Sequence, residues 1–225
     1  MVKKNCKNIK KYYRKKRRYA RKKANNPNYA NLNTVGIPNK LKCRLRCTYR
    51  SAPITTGTFT TTNIYLNNAY NPLATVIGSQ PMYYDQLMAL YTGYKVIYVK
   101  VKFTIFNTSS TEPIDFCCVP NIANNSFSTM YQMREQKNAK YTYVGAGDGS
   151  SDVRTLYYNA RMANIVANYN DSQFGTTTNG NPSAVIRLHY GYQNCDSSTA
   201  VEFFYDIEMI QTIIFSNPSC YVAQS

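Results

Sequence analysis

Three carboxylates near the end of the chain are the first candidates for chemistry. Glu202, Asp206 and Glu208 are separated by even numbers of residues, so in a strand all three would project from one face. Carboxylate oxygens in such a group suit a hard cation such as Ca²⁺ or Mg²⁺. Opposite charges on neighbouring strands explain the same residues more simply, as ion pairs. Ion pairing is therefore the favoured interpretation, and no metal or other cofactor is expected.

His189 is the single histidine of the chain and the obvious candidate for a general base. No serine in a glycine elbow and no activated cysteine motif accompanies it. The seven cysteines have no CxxC spacing, so a zinc site would need ligands from scattered positions. The glycine-rich segment 145–152 lacks the Gly-Lys-Ser/Thr ending of a phosphate loop and is predicted to be a turn. We therefore expect no enzymatic activity, and thiols that are reduced and buried.

A block of positive charge at the start of the chain is the strongest chemical signal. Thirteen of the 27 Lys and Arg residues lie within residues 1–23, which contain no acid, and five more lie within 40–50. From Ser51 onwards nine basic residues face eleven acidic ones. A run of like charge cannot collapse on itself, so residues 1–23 are predicted to be a disordered arm. Such an arm binds nucleic acid through its phosphates, which releases condensed counterions.

Tyrosines are interleaved with the cations of this arm. Their rings can stack on unpaired bases, at about 1–3 kcal/mol per base. The predicted nucleic-acid-binding residues of the arm are Lys10, Lys11, Tyr12, Tyr13, Arg14, Lys15, Lys16, Arg17, Arg18, Tyr19, Arg21, Lys22 and Lys23. The same run is typical of a nuclear localisation signal, so a host nuclear import receptor is an expected partner. Residues 24–40, rich in Asn with two Pro, are predicted to be a polar linker.

The first predicted strand, Leu41–Arg50, alternates apolar and polar residues. With a period of two, its cations lie on one face and its apolar residues on the other. Those cations are Lys42, Arg44, Arg46 and Arg50. A polar outer face is ordinary in a half-buried strand, but four cations without an acid favour contact with nucleic acid.

The remaining sequence predicts one all-β domain over residues 41–225. It is rich in β-branched and aromatic residues, and the chain has 22 Tyr and no Trp. Further strands are predicted at 59–66, 94–106, 113–120, 140–144, 153–159, 184–193 and 200–215, which makes eight in all. Short helices are predicted at Tyr84–Tyr91 and at Phe127–Glu135, the second capped by Ser126. This spacing favours a sandwich or barrel, and no apolar stretch is long enough for membrane insertion.

One segment carries a family resemblance. Residues 80–105 read QPMYYDQLMALYTGYKVIYVKVKFTI, in which a Pro-x-x-x-Asp-Gln turn leads to a tyrosine-rich helix and then a Tyr-x-Val strand. This segment resembles one shared by capsid proteins of small circular Rep-encoding single-stranded DNA viruses, the circovirus-like group. The basic arm and the strand order fit the same family along the whole chain. The resemblance implies an eight-stranded viral jelly roll of two packed antiparallel sheets, with the last strand between the strands predicted at Leu41–Arg50 and Tyr94–Phe106.

The resemblance also implies a function. The chain would be a virion coat protein that self-assembles, with about 60 copies in a T=1 icosahedral shell and the arm inside on single-stranded DNA. Sixty copies carry about 780 arm charges, enough for a genome on the order of a thousand nucleotides. Assembly would take place in the host nucleus, RNA could replace DNA in heterologous expression, and loops such as 174–182 would face neighbours or a host cell-surface receptor.

A cellular architectural or ribosomal-type nucleic-acid-binding protein with a β body is the alternative. Its body would be expected to carry basic patches beyond the first strand. Residues 51–225 have a small net negative charge, which favours the coat protein.

Overall fold

Nine strands make up most of the computed structural model. The structure describes residues 37–73, 80–122, 127–146, 152–177, 180–195 and 199–219, so the predicted arm and most of the predicted linker lie outside it. The strands in these ranges are β1 Lys40–Arg50, β2 Ile54–Thr56, β3 Thr60–Tyr65, β4 Tyr91–Asn107, β5 Ile114–Asn121, β6 Lys140–Val144, β7 Asp152–Arg161, β8 Arg187–Asn194 and β9 Val201–Pro218. The helices are α1 Tyr84–Leu90, α2 Met130–Arg134 and α3 Met162–Ile165, with a 3₁₀ turn at Ser172–Phe174.

The sheet order is that of a jelly roll. The first sheet runs β1-β9-β4-β7 and the second runs β3-β8-β5-β6. All pairings in both sheets are antiparallel. Two packed antiparallel sheets with long crossovers between them are the double Greek key of this fold. The predicted fold class is therefore confirmed, including the position of the last strand between β1 and β4.

The short strand β2 is absent from the sequence-based prediction. It pairs with residues 201–203 of β9, whereas β1 pairs with residues 206–216, so β2 continues β1 along the same side of β9. Pro53 lies between the two strands and has no N–H to donate to the ladder. At the break, the Ser51 N–H donates to the Tyr205 carbonyl at 2.9 Å, and the Ser51 hydroxyl accepts from the Tyr205 N–H at 3.0 Å. The eight-stranded topology is thus retained, with its first strand divided in two.

The helices are shorter than predicted. α1 ends at Leu90 because the chain is already extended at Tyr91, where β4 begins. α2 begins at Met130, and its cap is Thr129, whose hydroxyl accepts from the Gln132 N–H at 3.3 Å. The predicted cap Ser126 lies outside the described residues. None of the helices in the described ranges is long and apolar enough to cross a membrane.

Aromatic side chains fill the space between the sheets. The Phe103 ring lies 5.2 Å from both Phe116 and Tyr190, measured between centroids. The hydroxyls of Tyr190 and Tyr205 are 3.0 Å apart and hydrogen-bond to each other. A buried hydroxyl without a partner would be costly, so this pairing lets two tyrosines act as core residues.

The outer face of the second sheet is covered by a smaller apolar cluster beneath α2. Cys117 packs in this cluster with Met133, whereas Cys118 belongs to the main core, as adjacent strand residues must. His189 lies on the same covered face, its ring edge-on to Phe127 at 5.5 Å. The five cysteines within the described ranges are free thiols, and burial raises the pKa of Cys117 to about 11. In the described part of the chain, the outer face of the first sheet is exposed along β1.

Candidate nucleic-acid interface

β1 presents a row of cations on the outer face of the first sheet. Exposed and inward-facing residues alternate along the strand, as predicted. Leu45 and Cys47 are buried in the core, while Arg44 and Arg46 are exposed. Period two is thus confirmed for this strand, and its cations share one face.

The position of β9 brings acids next to two of these cations. Arg46 forms an ion pair with Glu208 at 3.1 Å. Arg50 donates to both carboxylate oxygens of Asp206, at 2.7 and 2.8 Å. That hydrogen bond holds the pKa of Asp206 below its usual value, so the carboxylate is charged at neutral pH. Both pairs are partly exposed to solvent, which screens the attraction and limits what each contributes to stability.

The three carboxylates of β9 do not gather into a cation site. Asp206 and Glu208 are held in the ion pairs, and Glu202 lies opposite Thr55 of β2. Four residues of strand separate Glu202 from Asp206, about 13 Å. In the part of the chain that the structure describes, no three side chains of metal-ligating type are grouped. Ion pairing, the favoured interpretation, thus accounts for Asp206 and Glu208.

The other half of β1 has no such compensation. Arg44 lies opposite Thr212 and Lys42 lies opposite Ile214, both neutral residues of β9. Within the described ranges, neither cation has a carboxylate at ion-pairing distance. Charge along β1 is therefore balanced at the Arg50 end and unbalanced at the Lys42 end.

The register of the sheet extends this surface across β4 and β7. Lys100 lies opposite Ile210 of β9 on one side and Asn159 of β7 on the other. The outward cations of the sheet are Lys40, Lys42, Arg44, Arg46, Arg50, Lys95, Lys100, Lys102 and Arg161, and the acids on the same face are Glu202, Asp206 and Glu208. We call this surface the cationic sheet face. A surface with such an excess of one sign of charge attracts polyanions.

Sequence reasoning missed part of this face for a physical reason. The register between β4 and β9 shifts at Ile97, which is a bulge. Lys95 and Lys100 are an odd number of residues apart, so simple alternation puts them on opposite faces, but the extra residue brings both outward. Arg161 lay beyond the predicted end of its strand.

The cations of the face differ in availability. Arg50 is the most constrained: it is bound to Asp206 and lies over the stacked rings of Phe106 and Phe204, 5.9 and 5.6 Å from their centroids. A depression of about 360 Å³ lies beside it. Its charged lining residues are Arg46, Arg50, Lys102, Asp206 and Glu208. The ammonium of Lys95 lies 4.8 Å from the centroid of the Tyr169 ring, and partial burial lowers the pKa of that lysine.

The arm residues, from Lys10 to Lys23, lie outside the described residues. Their role in binding stays a prediction.

No family model matches this chain, and no curated protein does either. Solved viral structures are similar to it. A chain of Desmodium yellow mottle tymovirus is 14% identical, covers 89% of this chain and 100% of its own length, and has a TM-score of 0.46. A tobacco necrosis virus chain is 13% identical over 82% of this chain and 85% of its own length, with a TM-score of 0.45. The BFDV capsid protein, solved as a 60-mer, is 10% identical over 84% of this chain and 100% of its own, also with a TM-score of 0.45. At these identities the likeness concerns the fold.

Proposed function

We propose that this chain is a viral coat protein that assembles into a closed icosahedral shell and packages single-stranded nucleic acid. The observation that carries the proposal is the distribution of charge. Thirteen cations precede a jelly-roll body whose residues from Ser51 onwards are close to neutral. The outer face of the first sheet of that body carries nine cations and three acids. Arm and face together supply phosphate contacts without any reacting group, so the mechanism is binding and assembly.

Exposed apolar side chains support the assembly part of the proposal. Examples that are more than half exposed are Met82 and Tyr83 at α1, Tyr131 on α2 and Tyr141 on β6. Tyrosine and methionine are enriched in protein–protein interfaces, where they bury large areas. Tyr131 and Tyr141 belong to α2 and β6, which lie at the second sheet, so these subunit contacts and nucleic-acid binding would use separate surfaces of the body.

The finer parts of the proposal follow the resemblance described above. The packaged strand is DNA, the shell has 60 copies in T=1 symmetry, and the free protein is imported into the host nucleus through its basic arm. The virion is its final location.

The net charge of the body does not distinguish a coat protein from the alternative, a cellular nucleic-acid-binding protein. A nearly neutral body was expected to lack basic patches beyond the first strand, yet Lys100, Lys102 and Arg161 extend the patch across the sheet. Assembly separates the two functions, because a cellular binder has no reason to form closed particles.

Electron microscopy of the purified full-length protein tests the proposal. We expect closed shells of one diameter, with nuclease-protected nucleic acid inside. The nucleic acid extracted from them, after expression alongside a circular single-stranded DNA, should contain that DNA. A protein that binds nucleic acid and stays monomeric at every concentration and salt tested would favour the cellular alternative.

A further inference from the structure

We propose that the β4 and β7 half of the cationic sheet face is a stacking platform for unpaired bases, centred on Tyr157. The inference deepens the proposed function and rests on its nucleic-acid-binding part. It gives the folded body a contact with bases in addition to phosphates. The ligand it commits to is single-stranded nucleic acid.

The exposure of Tyr157 is the first observation. Its side chain projects from β7 on the outer face of the first sheet and is 58% exposed. The tyrosines of the core lie on the other side of that sheet, where Tyr158 is buried. An exposed ring on an open sheet has a free π surface, and base stacking on such a ring contributes about 1–3 kcal/mol.

The neighbours of Tyr157 are the second observation. Lys102 lies directly opposite it on β4, and the next outward pair towards the Arg161 end is Lys100 opposite Asn159. The pair after that is Tyr98 opposite Arg161, which adds a second aromatic ring. Neighbours across strands are about 5 Å apart and outward neighbours along a strand about 7 Å. Lys102 and Lys100 thus lie beside the ring on its Arg161 side, and Arg161 is about 13 Å further along β7.

Charge complementarity selects the occupant of this half of the face. The outward positions of β4 and β7 from Tyr98 to Phe106 and from Val153 to Arg161 hold three cations and no acid. The acids of the face are all on β9, where Arg46 pairs with Glu208 and Arg50 pairs with Asp206. A polyanion therefore meets less repulsion over β4 and β7 than over β9.

The geometry favours a single strand over a duplex. A ring lying on a sheet can stack only on a base that is free of its partner, because the faces of paired bases are covered by their neighbours. A duplex and a single strand both offer phosphates to the cations, but only the single strand offers unpaired bases to the ring.

Substitution of Tyr157 tests the platform in the full-length protein. The probes are an oligothymidylate and an abasic oligonucleotide of the same length and phosphate count. Tyr157→Leu should weaken binding of the oligothymidylate about 5- to 150-fold, which corresponds to loss of one stacked base. It should leave binding of the abasic strand unchanged. Tyr157→Phe keeps the ring and should bind both strands like the wild type.

Tyr143→Leu is the matched control, since Tyr143 is 54% exposed on β6 of the other sheet. It should change neither affinity, and thermal melting should report folded protein for every variant. Photocrosslinking to 5-iododeoxyuridine should also label the peptide containing Tyr157. Equal losses for both probes, or equal losses in Tyr143→Leu, would overturn the platform and leave the proposed function intact. A wild-type chain that binds neither probe would instead overturn the nucleic-acid binding on which both proposals stand.

Discussion

At the scale of single residues, the sheet partner decides whether a cation is available to a ligand. Period two in the sequence was enough to put Arg44, Arg46 and Arg50 on one face, and the structure agrees. The sequence could not rank them, because the ranking depends on β9, more than 150 residues away. Arg50 is bound on two sides, Arg46 on one, and Arg44 faces a threonine.

Arg44→Gln is expected to weaken nucleic-acid binding more than Arg50→Gln does. Arg44 forms no ion pair with a described carboxylate, so its substitution leaves no carboxylate unpaired. The variant should lose a phosphate contact and keep nearly the same stability. The slope of log affinity against log salt should fall by roughly 0.7 for the loss of one contact on a single strand. Fluorescence anisotropy with a labelled oligonucleotide at several salt concentrations measures this slope.

The double variant Arg44→Gln, Arg46→Gln should lower affinity further without unfolding the domain. Both side chains are exposed, so the melting temperature should change little. A large drop in melting temperature, or a larger affinity loss from Arg50→Gln alone, would contradict this ranking.

At the scale of elements, alternation predicted the long strands and failed where the backbone departs from it. β1 and β6 were located to within a residue because their patterns are regular. Pro53 and the bulge at Ile97 each interrupt the period, and these are the places where β2 and the outward Lys95 were missed. α3 is four residues long and leaves no helical period to detect. The covering of the second sheet by α2 was also invisible, since it depends on packing between distant segments.

Gly191→Ala tests how tightly α2 covers that sheet. A Cβ at this position would lie 2.8 Å from the sulfur of Met133 and 2.8 Å from a ring carbon of Phe59. These atoms must shift, and such overpacking typically costs about 1–3 kcal/mol. We expect chemical denaturation to show a loss of this size in the free energy of unfolding.

Gly57→Ala provides the comparison, because its nearest contact would be an ordinary 3.6 Å to the Thr199 carbonyl oxygen. It should leave stability nearly unchanged. If the two variants were equally stable, the contact between α2 and the sheet would be looser than the structure indicates.

At the scale of the whole molecule, net charge and the location of charge answer different questions. The sequence indicates a basic arm and a neutral body, and on that basis the body contributes only its first strand to binding. Folding sorts the body's charges, so that Lys100, Lys102 and Arg161 join the cations of β1 on one sheet. Strand order and register produce this sorting, and the net charge of the sequence carries no information about either.

Deletion of residues 1–23 should therefore separate packaging from assembly. The thirteen arm cations are absent from the jelly roll, and the large exposed side chains of α1, α2 and β6 are retained, so we expect shells that form but contain little nucleic acid. The salt slope for a single strand should fall by up to roughly 9, at 0.7 per phosphate released, yet stay above zero because the cationic sheet face remains. Electron microscopy and the ratio of absorbance at 260 and 280 nm test the first part, and anisotropy with unrelated strands of equal length tests the second. Loss of all particles would mean that the arm takes part in the assembly contacts. A strong preference among those strands at every salt concentration would mean that binding depends on base-specific recognition and not on charge.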